Sequence, residues 1–172
     1  TTPMCRFPGS ISALPGFAAL AALLQNRRPG CGHPDQSDEA RARAVADSAL
    51  AAINRGDMVA LTDLMLEEAF VVAIGGPRGS RDYTLRSRAQ ERSTVFDVQI
   101  VERGFDGEAR VAGRLATVWL PYDLYVDGDW SQCGVDTFTM LEVGHAWRIA
   151  SLAYTVEQPP ACRRHPDGPP GD

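Results

Sequence analysis

Two Asp-Gly steps in the second half of the chain constrain its fold more than any other feature. Asp106-Gly107 and Asp127-Gly128 each separate two runs rich in β-branched and aromatic residues, and this dipeptide favours the backbone of a tight hairpin. A third turn is indicated at Gly144-His145. The pattern predicts four antiparallel strands, at about 95–105, 108–126, 129–142 and 147–157.

Closing each turn as a tight hairpin predicts which residues share a face, because directly paired residues lie on the same side of a sheet. Asp136 is then paired with Trp119 on one neighbouring strand and with Ala153 on the other. All three hairpins place the same bulky set on one face, namely Phe96, Val98, Ile100, Leu115, Trp119, Phe138, Met140, Trp147 and Ile149. Small residues surround Asp136, so we expect an apolar pocket that holds one acid.

Asp136 is the candidate catalytic residue. A carboxyl group on an apolar face has a raised pKa and can exchange protons with a carbon acid. Alternatively, it is a structural acid bonded to the Trp119 indole or to a backbone amide. Asp123 and Tyr125 lie on the same predicted face, where they either form the pocket mouth or are exposed, and the aromatic residues either stack on a ligand or fill the core. The candidate ligand-binding set is Thr117, Trp119, Asp123, Tyr125, Phe138 and Ser151.

The opposite predicted face is too apolar for open water. No other segment is left to cover it, which predicts a symmetric homodimer through the outer side of the sheet. The residues of this predicted interface are Val118, Leu120, Tyr122, Val135, Leu152 and Tyr154. Cys133 also falls on the outer face, so the register disfavours a nucleophilic thiol in the pocket.

The first half of the chain has helical patterns. Ser37 precedes two acids and then an apolar face with helical spacing, which ends at Gly56. Asp57 is placed to cap a second helix, and 70–74 is a short β-prone run. Five arginines between residues 78 and 92 form either an anion-binding rim or, as we favour, a solvated helix with surface ion pairs.

Composition excludes several classes of mechanism and partner. The chain has no lysine, so Schiff-base and lysine general-base chemistry is excluded. Its cysteines form no C-x-x-C pair and its histidines have no zinc-finger spacing, so we expect no metal and no cofactor. The net charge is −5 without a long run of like charge, so we expect neither nucleic acid nor a membrane as a partner. A disulfide between Cys31 and Cys162 is possible if the protein is exported.

Both ends are predicted to lie outside the domain at 37–157. Residues 1–36 form either a poorly ordered leader or, through the apolar stretch at 11–24, a signal peptide, although Pro15 and Gly16 interrupt that stretch. A cytoplasmic location is therefore favoured, with export as the alternative if residues 1–30 are a signal peptide. The proline-rich tail at 158–172 is predicted to be disordered.

Residues 38–157 resemble the nuclear-transport-factor-2-like superfamily. The resemblance depends on two helices, a short strand, a helix near "RSRAQERSTVF" and then "GRLATVWLPYDLYVDGDWSQCGVDTFTMLEVGHAWRIASLAYTVE". Within the superfamily the chain is most similar to bacterial SnoaL-like and lumazine-binding-type members. The resemblance implies an α+β fold, a cone-shaped, cystatin-like roll whose curved antiparallel sheet packs on N-terminal helices and encloses a pocket, and it implies frequent dimerisation.

This superfamily includes isomerases, dehydratases, cyclases and proteins that only bind. Its dehydratases use a His–Asp pair, whereas His145 lies here in a predicted turn and the other two histidines lie in the tails. The leading hypothesis is therefore a cofactor-free protein that binds a small hydrophobic or aromatic molecule. The alternatives are an isomerase, cyclase or dehydratase with Asp136 as general acid/base, and a dimeric interaction module without catalysis.

Overall fold

The computed structural model describes residues 36–171. The leader and the apolar stretch at 11–24, with the expectations about them, lie outside the described residues, as does Cys31 itself. The described helices are α1 (Gln36–Asn54), α2 (Met58–Asp63) and α3 (Arg88–Arg92). The strands are β1 (Met65–Ile74), β2 (Tyr83–Ser87), β3 (Ile100–Gly104), β4 (Glu108–Ala112), β5 (Leu115–Val126), β6 (Asp129–Val143) and β7 (Ala146–Thr155).

The seven strands form one sheet in the order β2-β1-β7-β6-β5-β3, and β4 also pairs with β5. All the pairings are antiparallel except that of β1 with β7, which is parallel. The predicted α+β architecture is confirmed, with a mixed sheet in place of a wholly antiparallel one.

The helices cover one side of this sheet, which we call the inner face. Ala42, Ala46, Ala49 and Leu50 are buried at helical spacing along α1 and belong to the same core cluster as Val118 on β5. The predicted start of α2 is confirmed, since Asp57 Oδ1 accepts a hydrogen bond of 2.9 Å from the Ala60 amide.

The predicted register is right beside two turns and wrong beyond them. Tyr125 pairs with Trp130 as predicted, but Ser131 is an extra residue in β6, so that Leu120, not Trp119, pairs with Asp136. Likewise Met140 pairs with Ile149 as predicted, whereas past an extra residue in β7 the partner of Asp136 is Tyr154. An extra residue in one strand shifts the pairing of every later residue by one. Each of these residues therefore has a different partner from the predicted one, and the faces of the two strands are matched differently.

These bulges correct the predicted dimer surface. Val118, Leu120, Tyr122 and Leu152 are buried on the inner face, and Tyr154 packs against the same core. Val135 pairs instead with Pro121 on the outer face. The residues named for the interface are therefore wrong for all but Val135, because a buried core side chain is not free to contact a partner. Dimerisation itself stays a prediction.

The segment around Asp106-Gly107 is also corrected. Instead of forming a hairpin, β3 and β4 pair one after the other along the same neighbour, β5. Asp106 does adopt a positive φ of 47°. Its turn, however, connects β3 to β4, which lie end to end along the same edge of β5. The hairpin lies at Gly113-Arg114, between β4 and β5, so the predicted strand at 108–126 is two strands. Strand β2, in the arginine-rich segment, was not predicted.

The C-terminal segment contradicts the prediction of a disordered tail, because it contacts the sheet. Cys162 forms a disulfide with Cys133, at a Cα–Cα distance of 5.9 Å, so the pairing with Cys31 is wrong. The His165 amide donates a hydrogen bond of 2.9 Å to Asp123, and the Arg164 guanidinium lies 3.8 Å from the centre of the Trp130 ring. The outer position of Cys133 is confirmed by the register, because the preceding residue, Gln132, lines the inner-face cavity. No helix within 36–171 is both long and apolar enough to cross a membrane.

Candidate functional site

A cavity of about 480 Å³ lies between the helices and the inner face. Its apolar wall comes from α1, α2, the segment after α3 and four strands, and consists of Leu50, Ile53, Met58, Leu61, Val71, Phe96, Ile100, Leu124, Val126 and Leu152. Its polar groups are Arg86, Glu91, Thr94, Glu102, Ser131, Gln132, Asp136 and Tyr154. A mostly apolar concavity with a few convergent polar groups is typical of a small-molecule site.

Asp136 projects from the middle of β6 into this cavity. The residue is 3% exposed, and its Oδ2 atom is buried without a hydrogen-bond partner in the described part of the chain. Burial raises the pKa of the Asp136 carboxyl well above its ordinary value, and the charge of Glu102 raises it further. Asp136 therefore presents a carboxylic acid to the cavity and has an oxygen free to bind a ligand.

Glu102 is the second acid of the cavity, and the sequence reasoning missed it. Its strand β3 is held to the end of α1 by Asn54, which accepts a bond of 2.7 Å from the Glu102 amide and donates one of 2.8 Å to its carbonyl. Burial raises the pKa of the Glu102 carboxyl to about 7. The signal was present in the sequence, because Glu102 follows Ile100 by two residues and so shares its inner face.

A cluster of three side chains, Arg86, Glu91 and Tyr154, lies on the wall beside the acids. Arg86 donates to the buried carboxylate of Glu91, and its Nη2 atom lies 3.2 Å from the Tyr154 hydroxyl. Burial lowers the pKa of Arg86, but the hydrogen bonds to Tyr154 and Glu91 outweigh it and raise the pKa above its ordinary value. The charge of Arg86 is thus compensated by Glu91.

Tyr122 lies beneath the acids and ties two strands together. Its hydroxyl donates a hydrogen bond of 2.7 Å to the Thr155 carbonyl and accepts one of 3.1 Å from Gln132 Nε2. Burial raises the pKa of the Tyr122 phenol, and the charges of Glu102 and Asp136 add to this. Tyr122 is therefore a neutral structural group, and it orients the amide of Gln132.

Two other arginines of the segment at 78–92 form ion pairs on the protein surface. Arg88 bonds to Glu67 at 2.8 Å, and Arg92 to Asp63 at 2.7 Å. These contacts favour the interpretation of surface ion pairs over that of an anion-binding rim.

The remaining predicted site residues do not line the cavity. Phe138 is fully buried in the core, two residues along β6 from Asp136, and Ser151 pairs with Thr139 on the outer side. Thr117 and Trp119 line a second pocket, of about 420 Å³, on the outer face, where Trp119 is 55% exposed.

Asp123 is buried and contacts the C-terminal segment and Arg103, and the buried Tyr125 contacts Arg103. Asp123 accepts hydrogen bonds from Arg103 at 2.6 and 3.0 Å, and the Arg103 guanidinium lies 5.3 Å from the centre of the Tyr125 ring. They therefore form a structural ion-pair cluster and not a pocket mouth. Across 36–171, no three His, Cys, Asp or Glu side chains are grouped so that they could hold a metal ion.

Comparison with known proteins gives the fold of this chain. No protein-family model matches the sequence, and no curated protein matches it significantly. A "putative dehydratase" of the NTF2-like family from Streptomyces avermitilis is similar in structure, with a TM-score of 0.57, 17% identity and coverage of 71% of this chain and 97% of that chain. An NTF2-like protein with a cystatin-like fold from Novosphingobium aromaticivorans gives a TM-score of 0.58, 16% identity and coverage of 73% and 86%.

A third solved structure supports the same assignment. A domain of unknown function with a cystatin-like fold from Nostoc punctiforme has a TM-score of 0.56 and 17% identity, and the match covers 73% of this chain and 80% of that chain. The order of helices and strands, the inner-face cavity and these likenesses agree: the chain has the nuclear-transport-factor-2-like, cystatin-like fold.

Proposed function

We propose that this protein binds a small, largely apolar molecule in the inner-face cavity, with a polar group of that molecule directed at Asp136. The observation that carries the proposal is the buried Asp136 oxygen that lacks a hydrogen-bond partner at the wall of a cavity of about 480 Å³. A buried polar atom without a partner is costly, so a ligand that bonds to it recovers free energy.

The size and the wall of the cavity support the same proposal. Ligand pockets typically enclose roughly 300–1,000 Å³ and combine apolar walls with a few polar groups. Leu124 and Gln132 are directly paired on β5 and β6, so the wall presents an apolar and an amide side chain next to each other. Such a surface suits a molecule with an apolar body and one or two hydrogen-bonding groups.

Filling the cavity tests the proposal. Molecules that co-purify with the protein would be extracted and identified by mass spectrometry, for the wild type and for Leu124→Trp, which places an indole in the cavity. We expect L124W to lose the bound molecule. Thr117→Trp is the matched control, because Thr117 lies on the same strand but on the outer face, and it should retain the molecule. Equal occupancy in both variants would place the ligand elsewhere, and a wild type without any bound or titratable apolar molecule would contradict binding altogether.

Acid/base catalysis is the second candidate function. Asp136 and Glu102 both have raised pKa values at a cavity wall, which is the environment of a carboxyl group that moves protons near neutral pH. An isomerase, cyclase or dehydratase would use Asp136 as the general acid/base. Turnover of hydrophobic carbonyl compounds should then fall by about a hundredfold or more in Asp136→Asn, and unchanged turnover in that variant would rule this role out.

A further inference from the structure

The charges on the cavity wall do not balance. Arg86 is the basic side chain of this wall within the described residues, and Glu91 already accepts its hydrogen bond. Glu102 and Asp136 are left without an opposing cation, although they are 8% and 3% exposed. Two buried acids that face the same cavity repel each other when both are ionised.

The elements packed around Glu102 and Asp136 do not supply a cation that is free to compensate these acids. Helix α1 contributes Leu50 and Ile53, and α2 contributes Met58 and Leu61, all of them apolar. The titratable groups on the other elements are Tyr122 on β5, Tyr154 on β7, Arg86 on β2 and Glu91 on α3. The two tyrosines are hydrogen-bonding groups, and Arg86 and Glu91 compensate each other.

The charge of a ligand decides how well it fits this arrangement. An anion places a further negative group beside Glu102, which already lacks an opposing cation. A neutral acceptor can take a hydrogen bond from protonated Asp136, but it leaves Glu102 unopposed as Glu102 ionises near pH 7. A protonated amine compensates the charge of the acid pair, and its charge-assisted hydrogen bond to a carboxylate is stronger than a bond between neutral groups.

We propose that the cavity takes an organic cation, a basic nitrogen on an apolar body, and that the protonated nitrogen lies between Glu102 and Asp136. This inference rests on the proposed function, because it assigns the ligand class of the same cavity. The apolar wall from α1, α2 and β5 contacts the body of the ligand. The bound cation favours the ionised form of both carboxyl groups. Protons that these groups hold in the free protein are therefore released to the buffer on binding.

Three isosteric probes test the charge preference. 1-Naphthylmethylamine is a cation, 1-naphthylmethanol is neutral and 1-naphthoate is an anion, and all three carry the same apolar body. In isothermal titration calorimetry near pH 7, we expect the amine to bind about tenfold or more tightly than the alcohol, which corresponds to roughly 1.4 kcal/mol. The naphthoate should bind most weakly. Titration in phosphate and in Tris, whose ionisation enthalpies differ, should show proton release with the amine and not with the alcohol.

Two variants assign this preference to the acids. Glu102→Gln with Asp136→Asn should remove the preference for the amine and the proton release, while binding of the alcohol remains. Glu108→Gln, which removes an exposed acid on the outer side, is the matched control and should behave as the wild type. Circular dichroism and urea unfolding establish that each variant is folded.

The outcomes separate this inference from the proposed function. If the alcohol binds as tightly as the amine, or if the preference survives in the double variant, the cation proposal is overturned and ligand binding in the cavity stands. If Leu124→Trp binds the amine as tightly as the wild type does, and likewise the alcohol, the cavity is not the site and both proposals fail. Binding of none of the three probes contradicts both as well.

Discussion

At the scale of single residues, Glu102 and Asp136 are buried where water cannot solvate their charges. An acid that is harder to ionise in the folded state than in the unfolded chain destabilises the fold once it is charged. Both groups therefore lower stability at neutral pH, which the chain tolerates at a site where a ligand could offset the cost. Such a local conflict with stability is expected where function is located.

The pH dependence of Glu102→Gln follows from this. The unfolded chain releases the Glu102 proton near pH 4.5, whereas the folded chain holds it to about 7. The contribution of Glu102 to the free energy of unfolding is thus fully present below pH 4.5 and is lost as the pH rises through about 7. The total loss is on the order of 3 kcal/mol. We expect E102Q to be more stable than the wild type at about pH 8 and to gain much less at about pH 5 in urea unfolding.

The exposed Glu108→Gln serves as control and should change stability little at either pH. A gain from E102Q of equal size at both pH values would contradict the linkage between Glu102 burial and stability.

At the scale of elements, the ends of β5, β6 and β7 approach one another closely beside the bulge at Ser131. Gly134 on β6 allows this approach, because a methyl group there would overlap the Thr155 carbonyl oxygen and lie 2.6 Å from its hydroxyl oxygen. The Thr155 carbonyl accepts a hydrogen bond from the Tyr122 hydroxyl, and the Thr155 hydroxyl accepts one of 3.0 Å from the Val135 amide. Gly134 thus helps to set the position of β6 from which Asp136 enters the cavity.

Gly134→Ala should therefore destabilise the protein. Because the obstructing atoms include backbone, they cannot rotate away, and we expect a loss of about 1–3 kcal/mol in the free energy of unfolding. Gly75→Ala is the control, since nothing lies within 4 Å of a methyl group at that position. Urea unfolding of both variants measures the difference, and a G134A protein as stable as G75A would contradict the close approach.

At the scale of the whole domain, the outer face remains apolar even though the predicted interface residues are buried. Directly paired residues cross five strands there, namely Trp119, Thr137, Ala153, Val72 and Leu85. Trp119 and Leu85 are 55% and 58% exposed. The C-terminal segment covers another part of the sheet, through the disulfide between Cys133 and Cys162. Export stays a prediction, and this disulfide is a bond of the kind that persists in an oxidising compartment.

The homodimer stays a prediction, now placed at this apolar row. We expect a dimer at micromolar concentration in light scattering coupled to size-exclusion chromatography, and Trp119→Arg should convert it to a monomer by placing a charge in the contact. Val95→Arg is the control, because Val95 is exposed outside the strands. A wild type that is monomeric throughout, or a dimer that W119R leaves intact, would contradict this interface.

Much of the fold was predictable from local sequence patterns. Alternating apolar residues, the cap at Asp57 and the turns at Asp127-Gly128 and Gly144-His145 predicted the main strands and helices, because these signals act between residues close in the chain. Asp106-Gly107 led to a wrong prediction of a hairpin. The same dipeptide can also form a turn between two strands that both pair with a third strand, as β3 and β4 do with β5. Strand β2 has no periodic signal of its own and forms by pairing with β1.

The sequence by itself determined that the chain is α+β and that Asp136 lies on the inner face beside a cavity. Only the tertiary structure decided what faces Asp136. Bulges at Ser131 and in β7 replace Trp119 and Ala153 by Leu120 and Tyr154, and packing of β3 on α1 brings in Glu102. The physical reason is that a bulge of one residue reverses strand alternation at small local cost, while its effect on the site appears only when the sheet and the helices pack together.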